Sequence, residues 1–588
     1  AYLILGREVL LTALKNMKSG HVMDENFLMS VATIGAFAIG EFGEAVGVML
    51  FYRVGEAFEH RAVEKSRSQI MEAVDLRPET VLLDENGTVR EIPAGSAAVG
   101  NIVQIRPGDR IPLDGVVVKG ESRIDTSPIT GEPVPVSVTV GSTLTSGCVN
   151  TSGLLKMRVE KELSESMVTR ILDSVENAAA SKPQAERFIT KFARIYTPFV
   201  VALAAATAII PSLITGNWSH WIYTALTFLV ISCPCALVLS VPLAFFSGIG
   251  AGSKKGILFK NAAALEEAGK VKIVALDKTG TITAGEPKVT DICPADGISE
   301  KQLLQMAYSL EKGSEHPLAK AILQKAEEEG MENEEVTEFQ ALPGNGLEAV
   351  RVADQAKLVG GSFMYIQNLS EVSATMIERA EKLAEEGKTP LLFAKDGVLQ
   401  GMIAVADVMK EDSAEAIREL KEMGIRVVML TGDNERTAKA IGEQAGVDEV
   451  IAGVLPDGKE AVVRKLRKKG EVAMVGDGIN DAPALTRANI GIAIGAGTDV
   501  AIDAAEIVLM KSRLSDVPQA IRISRKTLRN IHQNLFWAFF YNTIGIPLAA
   551  GLLIPFGLTL NPMFGAAAMS LSSFCVVSNA LRLNTIIK

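Results

Sequence analysis

Residues 271–281 read Val271-Lys272-Ile273-Val274-Ala275-Leu276-Asp277-Lys278-Thr279-Gly280-Thr281. The run up to Leu276 is apolar apart from Lys272 and closes on a Thr-Gly turn, which is the pattern of a buried strand. Asp277 follows at its C-terminal end, where open α/β sheets bind ligands. Two more runs repeat this arrangement. Ile425 to Leu430 leads into Thr431-Gly432-Asp433-Asn434, and Val472 to Val475 leads into Gly476-Asp477-Gly478-Ile479-Asn480-Asp481. Three strands therefore deliver carboxylates to one sheet edge. Such a cluster needs a cation, and hard carboxylate oxygens suit Mg²⁺. With its charge screened, Asp277 can attack a phosphoryl group and become an aspartyl-phosphate. Lys459, directly after Gly458, can neutralise phosphate oxygens.

The rest of the chain limits what this α/β unit belongs to. At roughly 150 residues per domain, 588 residues make about four units. The chain is 48% hydrophobic and still 22% charged, too apolar for an ordinary soluble protein and too charged for one wholly in the bilayer. Lys and Arg number 59 against 69 Asp and Glu, a net charge of −10 that argues against a nucleic-acid partner, which would need a basic face. Five scattered cysteines do not make a disulfide scaffold. The apolar content also excludes disorder and low-complexity sequence.

The apolar residues are clustered. Ala1 to Gly6 is a short stub, and Arg7 to Lys18 mixes basic and apolar residues as an interfacial helix would. Longer runs cover Phe27–Gly40, Val46–Val54, Pro198–Ile214, Trp221–Gly250, Leu535–Leu553 and Pro562–Leu581. Read against a bilayer, they amount to six spans plus the stub. Arg61, Lys65, Lys191, Arg194, Lys254, Lys255, Arg525, Lys526 and Arg529 flank the two long polar stretches, and the loop Thr215–His220 carries no Lys or Arg. The positive-inside rule then places both stretches in the cytosol. No cleavable signal peptide is visible. The chain starts without Met inside an apolar run, so a preceding helix is expected.

The first polar stretch alternates apolar and polar residues around Gly and Pro turns from about 70 to 165, as a small β domain would. Within it, Thr130-Gly131-Glu132-Pro133 presents Glu132 on a turn, where a carboxylate can position water. Inside the apolar run 221–250 lies Cys233-Pro234-Cys235. The proline breaks the helix and frees carbonyls there. Thiolates beside it select soft ions such as Cu(I) or Zn²⁺.

DKTGT (277–281), TGDN (431–434) and GDGINDAP (476–483), with TGE (130–132) upstream, resemble the P-type ATPases. Ser314-Glu315-His316-Pro317 and Cys233-Pro234-Cys235 narrow the resemblance to their heavy-metal, type IB branch, over essentially the whole chain. The resemblance implies a multidomain membrane protein with a helical transmembrane bundle and a β-rich actuator domain. It also implies an α/β haloacid-dehalogenase-like phosphorylation domain and an inserted α+β nucleotide-binding domain. The expected division is 1–66 transmembrane, 67–185 actuator, 186–255 a transmembrane pair, 256–287 with 400–512 phosphorylation, 288–399 nucleotide-binding and 527–584 the last two helices. By the same resemblance Asp277 is phosphorylated by ATP. Asp277, Thr279, Asp477 and Asp481 hold Mg²⁺. Thr431 and Lys459 contact the phosphoryl group, and Glu132 directs the dephosphorylating water. His316, Gly344, Gly346 and Gly360 line the ATP site, and Gly361 sits beside them.

The transported ion is read from the last two spans. Tyr541-Asn542 lies in one and Met569, Ser572 and Ser573 in the other, with no Asp, Glu or Lys in either apolar stretch. A divalent ion in hydrocarbon wants a compensating carboxylate, whereas a monovalent soft ion bound by Cys233, Cys235 and Met569 does not. This pattern resembles the copper(I) pumps. The stretch from Asp24 to Glu56, where Met29, Glu41, Glu44 and Met49 are candidate ligands on the ion's entry path, resembles the zinc/cadmium group instead, as does the stretch after Cys235. The expected activity is ATP-driven export of Cu(I) or Ag(I), with Zn²⁺, Cd²⁺ or Pb²⁺ export as the alternative and a membrane-anchored phosphatase as the remote one. The expected setting is a bacterial plasma membrane, with lipid and a metal-delivering chaperone as partners and no nucleic acid.

Overall fold

A computed structural model of the chain describes residues 1–18, 25–74, 80–85, 87–126, 135–166, 169, 184–232, 235–314, 316–332, 334–342, 345–433, 435–477, 479–495, 503–552, 554 and 560–586. The chain divides into two compact units, Ala1–Lys270 with Ala520–Lys588, and Val271–Gln519.

The first unit holds the apolar helices. Tyr2–Lys18 is one continuous helix, so the stub and the interfacial segment read separately from the sequence are a single element. It buries Gly6, Val9 and Ala13 and leaves Leu3 and Ile4 exposed. Glu25–Ala38 follows, then a turn at Gly40 with φ +88°, then the 33-residue helix Phe42–Val74. Gln184–Thr215 and Trp218–Ile231 come next, the second capped by the Asn217 side chain, which accepts from the His220 N–H at 3.3 Å. Cys235–Ser253 then begins a separate helix, so the apolar run 221–250 is divided between two elements. Among the described residues, Arg194–Thr215 and Pro562–Leu583 are long and apolar enough to cross a bilayer, with mean hydropathies of 2.0 and 1.4. The other apolar runs lie in helices that also carry charge, such as Phe42–Val74 with Glu44, Arg53 and Glu56, or are shorter, such as Trp218–Ile231.

Glycines set how closely these helices approach. A Cβ on Gly47 would lie 2.7 Å from the Met563 sulfur, and one on Gly55 would lie 3.3 Å from Ser570 Oγ. The two contacts are spaced alike along Phe42–Val74 and Pro562–Ile586, so these helices run in the same direction. Small residues permit this close packing where the surroundings are as apolar as the helices. Ser570 Oγ adds a hydrogen bond to the Phe51 carbonyl at 2.7 Å. Around this pair Met29, Met49, Phe228, Ile231 and Met569 form one buried cluster.

The β domain of the same unit has a sheet in the order Thr88–Pro93, Thr80–Glu85, Ile102–Ile105, Leu155–Val159, Gly115–Lys119, Thr143–Leu144. A smaller sheet pairs Val136–Val138, Ser122–Asp125 and Val149–Asn150. Leu155, Met157 and Val159 are buried while Lys156 and Arg158 between them are not, as a half-buried strand requires. Asn150 is fully buried and its amide donates to the carbonyls of Ile105 and Gly153, tying the two sheets together.

In the second unit a parallel sheet runs Ile507–Leu509, Ile490–Ile494, Val472–Gly476, Ile273–Asp277, Arg426–Leu430, Glu449–Ile451. Ile273–Asp277 is central and buried along its whole length, which is why its sequence is apolar without alternation. An antiparallel sheet follows the order Thr283–Pro294, Val398–Met409, Thr389–Lys395, Lys357–Ser362, Gly346–Arg351, Val336–Leu342. The helices Glu300–Glu311 and Pro317–Glu328 supply much of the core against it. The boundaries expected at 287/288 and 399/400 fall inside Thr283–Pro294 and Val398–Met409, which pair with each other. The insert is therefore joined to the parallel sheet by a continuous two-stranded ribbon rather than by loops.

A Cβ on Gly153 would lie 1.9 Å from the Glu121 carbonyl oxygen, a backbone atom that cannot turn aside. Gly153→Ala should destabilise the β domain by ~1–3 kcal/mol. Proteolysis of the full chain in increasing urea should then cut within residues 80–160 at a lower urea concentration than in the parent. An unchanged midpoint would show that the two strands can separate without cost.

Candidate active site

The parallel register places the chemistry. Asp277 stands opposite Leu430 on one neighbouring strand, and Leu276 stands opposite Val475 on the other. Thr431 and Asp477 thus lie one step beyond the same edge, beside Asp277. The carboxylate oxygens of Asp277, Asp477 and Asp481 come within 4.8 Å of one another. Asp481 closes a short 3₁₀ turn, Ile479–Asp481, that bends back toward the strand ends. Lys459 reaches in from the helix Pro456–Leu466, where Gly458 belongs to the first turn. Its ammonium donates to Asp277 Oδ1 and to Asp481 Oδ1, both at 2.7 Å.

All four side chains sit away from bulk water, with Asp277, Asp481 and Lys459 buried and Asp477 half-buried. Burial, and then the Asp481 charge, hold the Asp277 carboxyl above the usual carboxylate range, while Lys459 works against the shift. Burial and Asp481 raise Asp477 in the same sense. Burial opposes the charge on Lys459, but Asp277 and Asp481 outweigh it and hold the ammonium above its ordinary value. Three carboxylates against one ammonium leave an excess of negative charge on hard oxygen donors. That donor set fits Mg²⁺. Within the same turn the Thr281 hydroxyl is buried with no hydrogen-bond partner among the described residues.

The turn that carries Thr279 to Thr281 is possible only with glycine. Gly280 has φ +71°, and a Cβ there would lie 1.6 Å from Asp477 Oδ2. A Cβ on Gly476 would lie 2.5 Å from Asp481 Oδ2. Thr279 is exposed at this turn, and Thr431 is buried, its hydroxyl accepting from the Asp433 N–H at 3.1 Å. Lys278 is bonded to Asp433 at 2.7 Å, which ties the turn after Asp277 to the loop after Leu430.

Two supporting residues were missed in the sequence. Lys410 donates to the Gly280 carbonyl at 2.6 Å and to Ser512 Oγ at 3.1 Å. Burial lowers its pKa despite Asp412, Asp477 and Asp407 nearby. Asp407 accepts from the Thr283 hydroxyl and from the Gly285 N–H. The polar pair Asp407 and Lys410, directly after the apolar residues of Val398–Met409, was the signal available.

His316 caps the helix Pro317–Glu328. Its Nδ1 accepts from the Leu318 N–H at 3.2 Å, which leaves Nε2 facing outward on an exposed ring. Gly346 pairs with Gly361, and a Cβ on Gly346 would lie 2.1 Å from the Gly360 carbonyl oxygen. Gly360 itself faces the core, where a Cβ would meet Phe393 and Leu310. Next to Leu310, Glu311 ends its helix as a buried carboxyl whose pKa burial pushes up to about 7. Its carbonyl accepts from the Ser314 N–H in a tight turn. The sequence reading did not single out Glu311, because an isolated Glu in a charged helix gives no signal before burial is known.

Glu132, Cys233 and Gly344 lie outside the described residues, and Cys235 is described only as the first residue of its helix. In the last two helices Met569 is buried in the cluster that holds Met29 and Met49. Tyr541, Asn542 and Ser572 are half-buried, and among the described residues no hydrogen bond joins them. Glu44 accepts from the Tyr223 hydroxyl at 2.7 Å and from the Asn561 amide at 2.5 Å.

Gly280→Ala should displace the Asp477 carboxylate. Titration of the full chain with Mn²⁺, followed by its paramagnetic resonance, should show affinity weakened at least about tenfold, which is ~1.4 kcal/mol. Unchanged affinity would mean that Asp477 does not hold the ion.

Comparison with known proteins supports this architecture. Residues 75–176 match the P-type ATPase actuator domain, and residues 271–489 match the haloacid dehalogenase-like hydrolases. The chain is 42% identical over 565 residues to a copper-transporting P-type ATPase of Rhizobium leguminosarum bv. viciae, spanning 95% of this chain and 67% of the relative. It is also 42% identical over 555 residues to a zinc-transporting ATPase of Synechocystis sp., spanning 93% and 76%. Among solved structures it resembles a zinc-transporting PIB-type ATPase in the E2.Pi state, with TM-score 0.66, 37% identity and coverage of 99% and 94%. The carboxylate cluster at the strand ends, the β domain and the apolar helices agree with these matches, and the chain belongs to the heavy-metal-transporting, type IB branch of the P-type ATPases.

Proposed function

We propose that this chain exports a soft monovalent metal ion, Cu(I) with Ag(I), using ATP and an aspartyl-phosphate on Asp277. The observation that carries the ion assignment is the lining of the last two apolar segments. They offer Tyr541, Asn542, Met569 and Ser572 but no carboxylate or ammonium, and Met569 belongs to the same buried cluster as two further thioethers, Met29 and Met49. Thioether and thiolate donors suit Cu(I). Cys233 and Cys235 complete the donor set in this reading. Relatives named for copper and for zinc are equally similar, so overall identity does not decide between them. The flanking charges support a multi-pass protein of a bacterial plasma membrane with both polar stretches cytosolic.

In the proposed cycle an Asp277 oxygen attacks the γ-phosphorus of ATP, the bond to the β-phosphate oxygen breaks, and ADP leaves. Asp277, Asp477, Asp481 and Thr279 would hold Mg²⁺, which would supply charge neutralisation on the phosphoryl oxygens. Lys459 and Thr431 donate to the same oxygens, so Lys459 exchanges a carboxylate partner for phosphate. Lys278 and Lys410 hold the turn in position. Water directed by Glu132 then attacks phosphorus, its proton passes to the Glu132 carboxylate, and Asp277 is restored. His316 with Gly344 and Gly346 receives the nucleotide, and Gly360 lets Leu310 press on the sheet so that Glu311 sits beside the base.

Asp277→Asn should abolish incorporation of the ATP γ-phosphate, and Lys459→Met should reduce it at least ~100-fold. Acid-stable label in Asp277→Asn would refute the assignment. ATPase activity of the purified protein should rise with Cu(I) or Ag(I) and not with Zn²⁺, Cd²⁺ or Pb²⁺. Stimulation by Zn²⁺ alone would transfer the proposal to the divalent ions.

A protonated Glu311 can donate to the adenine ring, and the ionised form repels the polyphosphate. Its proton is held below about 7 and lost above. ATP affinity of the full chain should therefore weaken about tenfold between roughly pH 6 and pH 8, relative to Glu311→Gln, which shares the titration of the nucleotide itself. Parallel pH profiles for the two proteins would remove Glu311 from the site.

A further inference from the structure

The helix Asp516–Ala549 carries a feature that the pump cycle does not use. On one face, where it nears the apolar run that begins at Leu535, a cleft of about 570 Å³ is lined by Arg525, Arg529, His532, Phe536, Trp537 and Gly269. Arg525, Arg529, His532 and Phe536 are spaced by four, three and four residues, so they share that face. The opposite wall is the helix Ala262–Lys270. It comes close because Gly269 has no side chain, since a Cβ there would lie 2.5 Å from Leu528 Cδ1.

The charge of the cleft is one-sided. Arg522, Arg525, Lys526 and Arg529 fall within eight residues, and Asp516 is the only acid in the whole helix. Arg529 and His532 are exposed, and neither has a carboxylate partner among the described residues. On the facing helix Glu266 and Glu267 are both engaged by Lys270, at 2.8 and 3.0 Å. Below the cations the surface turns aromatic. Phe536 and Trp537 are 61% and 59% exposed, and Trp537 meets Phe540 edge-on at 5.8 Å. Exposed Trp and Phe beneath a basic rim mark the depth of the headgroup region. A cleft between helices that is basic above and aromatic below matches the headgroup and the first acyl carbons of a lipid.

We propose that this cleft binds an anionic phospholipid of the cytosolic leaflet, with its phosphate on Arg525 and Arg529 and its glycerol end against Trp537. Among the described residues no carboxylate lines the cleft to receive the ammonium of a zwitterionic headgroup, which favours the anionic class. A free phosphate would use the arginines but has no use for the exposed aromatic floor. The inference stands on the cationic face and the aromatic belt, independently of which metal is moved.

The chain has three tryptophans, Trp218, Trp221 and Trp537, so Trp218→Phe with Trp221→Phe leaves one reporter in the cleft. The full-length double variant is reconstituted in phosphatidylcholine vesicles containing either brominated phosphatidylglycerol or brominated phosphatidylcholine. Trp537 fluorescence should be quenched preferentially by the brominated phosphatidylglycerol. Arg529→Gln should cut that preference about fivefold, Arg525→Gln with Arg529→Gln should abolish it, and Arg529→Lys should keep most of it. Arg522→Gln, outside the lining, should change nothing. Equal quenching by the two brominated lipids would overturn the proposal. Loss of the preference on adding inorganic phosphate would show a site for free phosphate instead, and a preference that survives in the double arginine variant would locate the lipid elsewhere.

Discussion

The bond on which the catalytic unit depends is that of the Lys459 ammonium to Asp277 and Asp481. Three carboxylates within 4.8 Å cannot stand buried and ionised without a cation among them. Lys459 supplies that cation at 2.7 Å from two of them. The strands that meet here are among the most apolar in the chain, and they can be buried because the charges at their ends compensate one another. The same arrangement leaves the cluster short of positive charge by more than one unit, a deficit of the kind that hard divalent cations compensate.

Around that centre the structure uses close backbone approach rather than side-chain bulk. Gly280 turns with positive φ so that Asp477 can stand beside Asp277, and Gly476 leaves room for Asp481. Lys278 with Asp433 and Lys410 with the Gly280 carbonyl then hold the two loops from which the carboxylates project. The paired strands Thr283–Pro294 and Val398–Met409 carry the chain from this edge to the antiparallel sheet and back, with Asp407 bonded across the start of the ribbon. The apolar helices repeat the device at Gly47 and Gly55, where bare backbone admits Met563 and Ser570. A chain of this kind is sensitive at its glycines and tolerant on most of its exposed surface.

Much of the fold was legible because its signals are local. Asp277, Thr431, Asp477 and Asp481 follow apolar runs at fixed offsets, and the sheet brings those ends together. The alternation in Leu155–Val159 and the long apolar run in Arg194–Thr215 were equally plain. Elements that depend on partners were read less well. The stub and interfacial segment are one helix, because Gly6 is tolerated inside it when pressed against Met49. The boundaries of the nucleotide-binding insert fell within two strands, because a β ribbon that continues from one sheet to another carries no turn residues to mark the division. Glu311, Lys410 and Asp407 escaped notice because a charged residue declares itself only through burial or through the group it bonds.

By itself the sequence determined the family and the identity of the acids at the strand ends, since motif spacing and apolar periodicity are properties of the chain read in order. The tertiary structure decided which of those groups touch. It joined Lys459 to residues 182 and 22 positions away, placed Gly346 against Gly361, turned Gly360 to the core, and set Glu44 between Tyr223 and Asn561. Contacts between residues so far apart along the chain have no local signature. They follow from the packing of buried surfaces, which fixes distances that spacing along the chain does not specify.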